Sequence, residues 1–190
     1  MNTNKSLYFI AIVPPDPIYE DIFKWKTYFA DNHQSKGALR SPPHITLHMP
    51  FKSPEKKSNK IHEFLQSVAS EQKPFVVQLR NFNAFEPRVI YIDILDNTEL
   101  RTLQNTLAAS MRRVLNIFND GYKNKGFKPH ITVAFRDLRK AEFYNAWKTI
   151  KDEVFEAAFE VKELCLLKHD GQRWEINTRY PFRSSPENSH

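Results

Sequence analysis

The sequence predicts an α+β fold in which two related lobes share a cleft. Runs of β-branched and aromatic residues alternate along the chain with amphipathic helical patterns. The same order of elements occurs twice, and corresponding elements lie 82 to 86 positions apart. A repeat of this length, present only twice, is typical of paired lobes rather than of a solenoid. No linker separates the halves, so we expect one bilobal domain over residues 1–183 and a disordered polar tail over residues 184–190.

The first half opens with a strand that is followed by a helix. Residues 7–13 form the predicted strand. Asp16 and Pro17 then supply an N-cap and a first-turn residue. They introduce a helix whose predicted apolar face consists of Ile18, Ile22, Trp25 and Phe29. The half therefore begins with the strand-then-helix order that recurs later in the chain.

The rest of the first half repeats this alternation. After a loop over residues 33–43, a short run over residues 44–47 has β-branched residues and bounding prolines, which indicates a strand. Ser53 and Pro54 then open a second helix. Its predicted buried stripe consists of Ile61, Phe64, Leu65 and Val68. A strand over residues 75–82 ends the half.

The second half follows the same order. Residues 89–94 form a predicted strand that is rich in β-branched residues. A helix begins near Thr98, and its apolar stripe consists of Leu100, Leu103, Leu107, Met111 and Val114. A loop over residues 116–129 leads to a predicted strand over residues 130–133. This strand matches the short strand of the first half.

A helix and two strands complete the predicted fold. The apolar face of the helix consists of Phe143, Trp147 and Ile150. Two strand-like runs follow, over residues 159–167 and 173–180. Asp170 and Gly171 between them are typical of a tight turn, so the two runs are predicted to form a hairpin.

Two short strings at matching places in the halves carry the candidate chemistry. The strings PHITL and PHITV share four of five residues. Successive side chains in a strand point to opposite faces, so His44 and Thr46 share one face of the first string. His130 and Thr132 share the equivalent face of the second. Each lobe therefore offers an imidazole and a hydroxyl group together.

Such a paired set suits in-line displacement at a phosphodiester. The attacking oxygen must lose a proton while the leaving oxygen gains one on the opposite side of the phosphorus. Histidine, whose reference pKa is about 6.5, can act in either role. His44 and His130 are therefore candidate catalytic residues, and Thr46 and Thr132 are candidate donors to the non-bridging oxygens. This chemistry requires no metal and no other cofactor.

The histidines also admit interpretations other than catalysis. A lone histidine two residues before a threonine is usually an ordinary hydrogen-bonded residue, but two copies in register favour catalysis. His48 could join His44 and His130 in a three-histidine metal site. The lack of a carboxylate or cysteine in this set disfavours metal binding. The remaining histidines are interpreted as ordinary loop, helix or tail residues: His33, His62, His169 and His190.

The paired strings resemble the two signature motifs of the two-histidine (2H) phosphoesterases. Over nearly the whole chain, the layout is similar to that of bacterial 2'-5' RNA ligases and RNA 2',3'-cyclic phosphodiesterases. Residues 7–14 resemble the opening strand of that family, and residues 85–91 resemble the segment that begins its second half. One departure is that His48, Met49 and Pro50 precede Phe51, where the family often has a small or apolar residue before phenylalanine. We therefore expect a differently shaped groove.

The resemblance implies both a fold and a set of roles. The implied fold has two antiparallel sheets that face a central groove, with helices on the outside. Catalytic roles are implied for His44 and His130, and phosphate contacts for Thr46 and Thr132. The implied activity is hydrolysis of 2',3'-cyclic phosphate ends of RNA or nucleotides.

Basic and aromatic residues near the strings are further candidates. Arg136 lies six residues after His130 on the same nominal strand face, so it could contact a phosphate, although an exposed arginine at a strand end is the alternative. Basic residues of the two preceding loops predict a cationic mouth, with ordinary solvated loop charge as the alternative: Lys36, Arg40, Lys123, Lys125 and Lys128. Candidates for stacking on a base are Phe9, Phe51, Phe85, Tyr91 and Phe135.

Charge and composition indicate the class of partner and the compartment. The formal net charge of +6 favours polyanions, so the expected partners are RNA ends or nucleotide cyclic phosphates, with no obligate protein partner. Cys165 is the single cysteine, cannot form an intrachain disulfide, and lies in an apolar run that predicts a buried strand. The apolar run at residues 7–13 is too short to span a membrane. A cytoplasmic protein is therefore expected.

The leading hypothesis is a cyclic phosphodiesterase that acts on ribose phosphates. A related alternative uses the same residues on a small non-RNA cyclic phosphate. An alternative of another class is a non-catalytic module that binds RNA ends or nucleotides. Intact histidine and threonine pairs in both halves favour an enzyme. The sequence leaves open the direction of any ligase activity and which histidine is the base.

Overall fold

The computed structural model describes residues 5–119 and 126–183. The predicted tail over residues 184–190 and the loop residues Lys123 and Lys125 lie outside the described residues. Helices and antiparallel strands alternate along the described chain, which confirms the predicted α+β class. None of the helices in these two ranges is long and apolar enough to cross a membrane.

Eight strands and four longer helices make up the described fold. The strands are β1 (Lys5–Ile12), β2 (Ile45–Pro54), β3 (Phe75–Phe85), β4 (Val89–Ile94), β5 (His130–Ala134), β6 (Glu156–Val161), β7 (Glu163–His169) and β8 (Trp174–Pro181). The helices are α1 (Ile18–His33), α2 (Ser58–Glu71), α3 (Thr98–Ser110) and α4 (Lys140–Ile150). Short helical turns occupy Gly37–Arg40, Glu55–Lys57 and Met111–Leu115.

The strands form one antiparallel sheet in the order β6-β3-β4-β5-β2-β1-β7-β8. At the centre of this order, β2 and β5 meet through the single registered pair Ile45 and Ile131. The sheet therefore consists of two four-stranded groups, which correspond to the two predicted sheets. The groups are joined where the two histidine strings lie. Each group combines both halves of the sequence, because β3 pairs with β4 and β7 pairs with β1.

One predicted strand is in fact two. The apolar run over residues 159–167 divides at Lys162 into β6 and β7, because β6 pairs with β3 in one group whereas β7 pairs with β1 and β8 in the other. The predicted hairpin is confirmed, and Asp170 closes its turn by accepting hydrogen bonds from the backbone N–H groups of Gln172 and Arg173.

Two predicted helix starts are wrong. Pro17 occupies the N-cap of α1 without a side-chain hydrogen bond, so Asp16 does not cap this helix. The strand β2 continues through Ser53 and Pro54, because these residues pair with the beginning of β1. As a result α2 begins only at Ser58.

The main core lies between the helices and one face of the sheet. Alternate residues of β1, among them Ile10 and Ile12, join this core with the buried stripes of all four helices. The intervening residues of β1 form a smaller cluster with Cys165, which is buried in a strand as predicted. Because α1 packs against β5 and α3 packs against β2, the helices cover the backs of both motif strands. The opposite face of these strands is left for the site.

Candidate active site

A groove of about 1380 Å³ lies over the motif strands. Its lining includes all four residues of the paired strings: His44, Thr46, His130 and Thr132. The strand alternation explains this placement, because Ile45 and Ile131 point into the main core from the same two strands. The sequence prediction that the four polar side chains share one site therefore agrees with the geometry.

The two histidines are oriented in the same way. Nδ1 of His44 lies 2.7 Å from the carbonyl oxygen of Pro42, and Nδ1 of His130 lies 2.7 Å from the carbonyl oxygen of Lys128. A carbonyl oxygen can only accept, so Nδ1 carries the hydrogen in both rings. In the neutral form, Nε2 then holds the lone pair and is the nitrogen that is able to take up a proton.

The surroundings of His44 disfavour its protonation. The ring packs 4.8 Å from the ring of Phe9, measured between centroids. Burial lowers the pKa of His44 to about 3, and the positive charges of Lys26 and His130 act in the same direction. Both imidazoles line the same groove, and a positive charge on His130 disfavours a positive charge on His44.

His130 lies between two aromatic rings and near a carboxylate. The centroids of Phe85 and Tyr91 are 5.1 Å and 4.9 Å from that of the imidazole. Burial lowers the pKa of His130, and the charge of Lys128 lowers it further. Asp93, its cross-strand partner, opposes this effect. His130 therefore has a carboxylate neighbour, whereas His44 has a buried cation.

Basic side chains dominate the charge of the groove. Among the residues that the structure describes, five cations and one acid, Glu86, line it; the cations are Arg40, Arg88, Lys128, Arg136 and Arg173. Of the lysines and arginines predicted at the mouth, Arg40 and Lys128 are in this lining. Lys36 is not in this lining, and its backbone N–H donates a hydrogen bond to Asp137 at 2.9 Å.

Arg136 reaches the groove by a route that strand alternation did not predict. The strand β5 ends at Ala134, so Arg136 is not on the strand face of His130. Its φ of 68° places it in the left-handed region, two residues after the strand ends. The guanidinium carbon lies 5.3 Å from the centroid of the Phe135 ring. Both residues line the groove.

His48 does not belong to the site. Its side chain is fully buried, its Nδ1 lies 2.9 Å from the carbonyl oxygen of Met49, and its ring packs on Phe51 in the main core. The pairing of β1 with β2 shifts register on both sides of Ile10, the partner of His48, which interrupts the simple alternation along β2. The three-histidine site considered from the sequence is therefore not formed. In the described ranges, no three histidine, cysteine or acidic side chains are grouped as metal ligands.

One wall of the groove was not predicted from the sequence. Trp174, Arg173 and His169 line it from the β7–β8 hairpin, although His169 was interpreted as an ordinary loop residue. The Trp174 ring lies 4.6 Å from that of Phe9 and 4.9 Å from that of His169. The available signal was an arginine and a tryptophan two and three residues after Gly171 of the predicted turn.

The other aromatic and histidine candidates divide between groove and core. Phe9, Phe85 and Phe135 line the groove, whereas Phe51 and Tyr91 are buried outside its lining. His33 pairs with Glu142 and His62 contacts the hydroxyl of Tyr180, so both have structural partners away from the groove. His190 lies outside the described residues.

Comparison with known proteins gives a consistent family and fold. A sequence model of the 2'-5' RNA ligase superfamily matches residues 14–173. A protein of Geobacillus kaustophilus, provisionally named as a phosphoesterase, is 30% identical over 146 residues, which are 76% of this chain and 77% of that protein. The residues matched by the family model include both histidine strings.

Two solved structures have a similar fold. The crystal structure of TT0787 from Thermus thermophilus has a TM-score of 0.69 at 20% identity, and the match covers 94% of this chain and 99% of that one. The crystal structure of Escherichia coli LigT with 3'-AMP has a TM-score of 0.66 at 21% identity and covers 95% of this chain and 100% of that one. At such identities the likeness concerns the fold alone.

Proposed function

Because the chain belongs to the 2'-5' RNA ligase superfamily, we propose that it is a metal-independent phosphodiesterase that hydrolyses 2',3'-cyclic phosphates of RNA ends or nucleotides. The observation that carries the proposal is the matched presentation of His44 and His130. Both imidazoles line one groove, and both are oriented by a bond from Nδ1 to a carbonyl oxygen. An acid and a base on either side of a phosphate is the arrangement that in-line displacement requires.

The proposed reaction is a single displacement by water. One imidazole removes a proton from the water through Nε2 as the water oxygen forms a bond to phosphorus. The bond from phosphorus to the ribose 3' oxygen breaks, and the other imidazolium delivers its proton to that oxygen. The product is a 2'-phosphate. Thr46 and Thr132 are proposed to donate to the non-bridging oxygens, where negative charge must be stabilised in the transition state.

The groove lining supports a nucleotide-like substrate. Its cations are suited to a phosphate, and the guanidinium groups of Arg40 and Arg136 have no carboxylate partner among the described residues. The rings of Phe9 and Trp174 meet edge to face, and Phe9 also packs against His44. Phe85 lies edge to face with His130. Such rings can stack on a base. The binding of 3'-AMP by LigT, which has this fold, is consistent with the same class of ligand.

The direct test is turnover of 2',3'-cyclic AMP in the presence of EDTA, followed by ³¹P NMR. We expect one product resonance, that of the 2'-phosphate, and no loss of rate on chelation. His44→Ala is the inactive control. No turnover of this substrate, of a cyclic-phosphate-ended RNA or of a small non-nucleotide cyclic phosphate would contradict an enzyme and leave a binding module. Loss of activity with EDTA and its recovery with zinc would contradict the metal-independent mechanism.

A further inference from the structure

Lys26 is a buried charged residue that the proposed reaction does not use. It lies on the buried stripe of α1 between Ile22 and Phe29, and only 1% of its surface is exposed. Its Nζ donates to the carbonyl oxygens of Ala38 at 3.0 Å and Ser41 at 2.8 Å. No carboxylate within residues 5–119 and 126–183 pairs with it, and an ammonium group without a counter-ion is costly to bury.

The two acceptor carbonyls belong to the segment that leads into the first histidine string. Ala38 and Ser41 both line the groove. The next residue, Pro42, provides the carbonyl that accepts the Nδ1 hydrogen of His44. The Lys26 ammonium group is therefore hydrogen-bonded to Ser41, and the next residue, Pro42, orients the His44 imidazole.

The other end of this segment is held by Asp137, in the turn after β5. Its carboxylate accepts hydrogen bonds at 2.9 Å from the backbone N–H groups of Lys36 and Gly37. Gly37 lies so close to this turn that a Cβ atom would be 3.0 Å from the carbonyl oxygen of Phe135. A carboxylate from one side and an ammonium group from the other therefore hold the wall of the groove over residues 36–41.

We propose that Lys26 is a positioning residue for His44. Lys26 fixes the backbone at residues 38–41, and in this way it sets the orientation and the charge environment of the His44 imidazole. The inference rests on the proposed function only in treating His44 as catalytic. Catalytic groups work best when supporting bonds hold them in their reactive geometry. A buried cation close to His44 also acts on the protonation of its ring.

The charge effect has a defined direction. The titratable groups that act on His44 are Lys26 from α1 and His130 from β5, and both lower its pKa, after burial itself. Burial lowers the pKa of Lys26 to about 7. Lys26 is therefore charged throughout the acidic range in which His44 titrates. Removing that charge should raise the pKa of His44.

The test compares Lys26→Met and Lys26→Gln with wild type in the full chain. The His44 and His130 rings are titrated by ¹H–¹⁵N NMR, and kcat and KM are measured on 2',3'-cyclic AMP. In Lys26→Met we expect the His44 midpoint to rise by about one pH unit while that of His130 moves little. We expect kcat to fall by roughly tenfold with a nearly unchanged KM. The glutamine variant, which keeps a donor, should recover part of kcat and none of the midpoint shift.

The matched control is Lys24→Met, two residues away on the same helix, where the lysine is exposed and bonded to Asp21. It should leave both readouts unchanged. Folded Lys26 variants with wild-type His44 midpoint and kcat would overturn the proposal. Failure of both variants to fold, judged by circular dichroism, would overturn it too, because Lys26 would then act on the fold as a whole. If wild type does not turn over cyclic phosphates, the proposed function fails, and the NMR midpoint still decides the role of Lys26.

Discussion

His44 and His130 are held by equivalent bonds, since Nδ1 of each ring lies 2.7 Å from the carbonyl oxygen two residues earlier in the chain. Their electrostatic surroundings nevertheless differ. His44 has the buried Lys26 nearby, whereas His130 is the cross-strand partner of Asp93. Equal orientation with unequal charge environments is the pattern expected of an acid–base pair.

The threonines of the two strings should contribute to turnover without being essential. Thr46→Val and Thr132→Val keep the shape of the side chain and remove the hydroxyl that is proposed to stabilise the non-bridging oxygens. We expect kcat to fall by roughly ten- to a hundredfold in each. Thr178→Val, on β8 and outside the groove lining, is the control. Unchanged rates in both groove variants would assign the threonines a purely structural role.

The pH dependence should differ between the free and the bound protein. Burial lowers the pKa of both imidazoles in the free protein. The singly protonated pair is populated between the two macroscopic pKa values, so kcat/KM should peak on the acid side of the reference value of about 6.5. A bound phosphate favours the protonated rings, so the kcat profile should be displaced to higher pH. A kcat/KM that continues to rise above pH 8 would contradict this prediction.

Trp174 should act on substrate affinity. It forms a groove wall with Phe9 and His169, away from the proposed proton transfers. We expect Trp174→Ala to raise KM for 2',3'-cyclic AMP by roughly tenfold, since one base–aromatic stack is worth about 1–3 kcal/mol, and to change kcat little. Tyr144→Ala removes an exposed ring outside the groove lining and is the control. Equal KM values for the Trp174 variant and wild type would exclude a stacking role.

Lys26 should make stability depend on pH in the alkaline range. Its pKa is lowered by burial from 10.5 to about 7, so the unfolded chain binds one more proton than the folded chain between these values. The free energy of unfolding should therefore rise with pH over this window, by up to about 1.4 kcal/mol per unit from this group. Urea unfolding at pH 7 to 10 should show a flatter profile for Lys26→Met than for wild type. Parallel profiles would mean that burial does not lower the pKa of Lys26 in the folded protein.

Much of the site could be predicted from local sequence. The strings PHITL and PHITV specify strand alternation through their apolar residues, and the same alternation places His44 and His130 on the groove face. The helices were also predictable, because their apolar stripes recur with helical spacing. Lys26 falls within such a stripe, but its burial depends on carbonyls that only the folded segment 38–41 provides.

What the sequence did not predict depends on long-range pairing. The division of residues 159–167 at Lys162 follows from the different partners of β6 and β7, and no local pattern encodes that choice. Trp174 reaches the groove only because β7 pairs with β1 beside the first motif strand. Arg136 does so through a left-handed turn, and His48 leaves the groove face at a register shift.

A double-mutant cycle on His44 and His130 tests whether the two imidazoles act on one phosphate. Rates of 2',3'-cyclic AMP hydrolysis are compared for wild type, His44→Ala, His130→Ala and the double variant, after circular dichroism has shown that each is folded. If the two imidazoles act on one phosphate, each single variant loses a factor of about a hundred or more in kcat, and the double variant loses far less than the product of the two factors. Near wild-type turnover in either single variant, or losses that multiply in the double variant, would contradict a shared two-histidine mechanism.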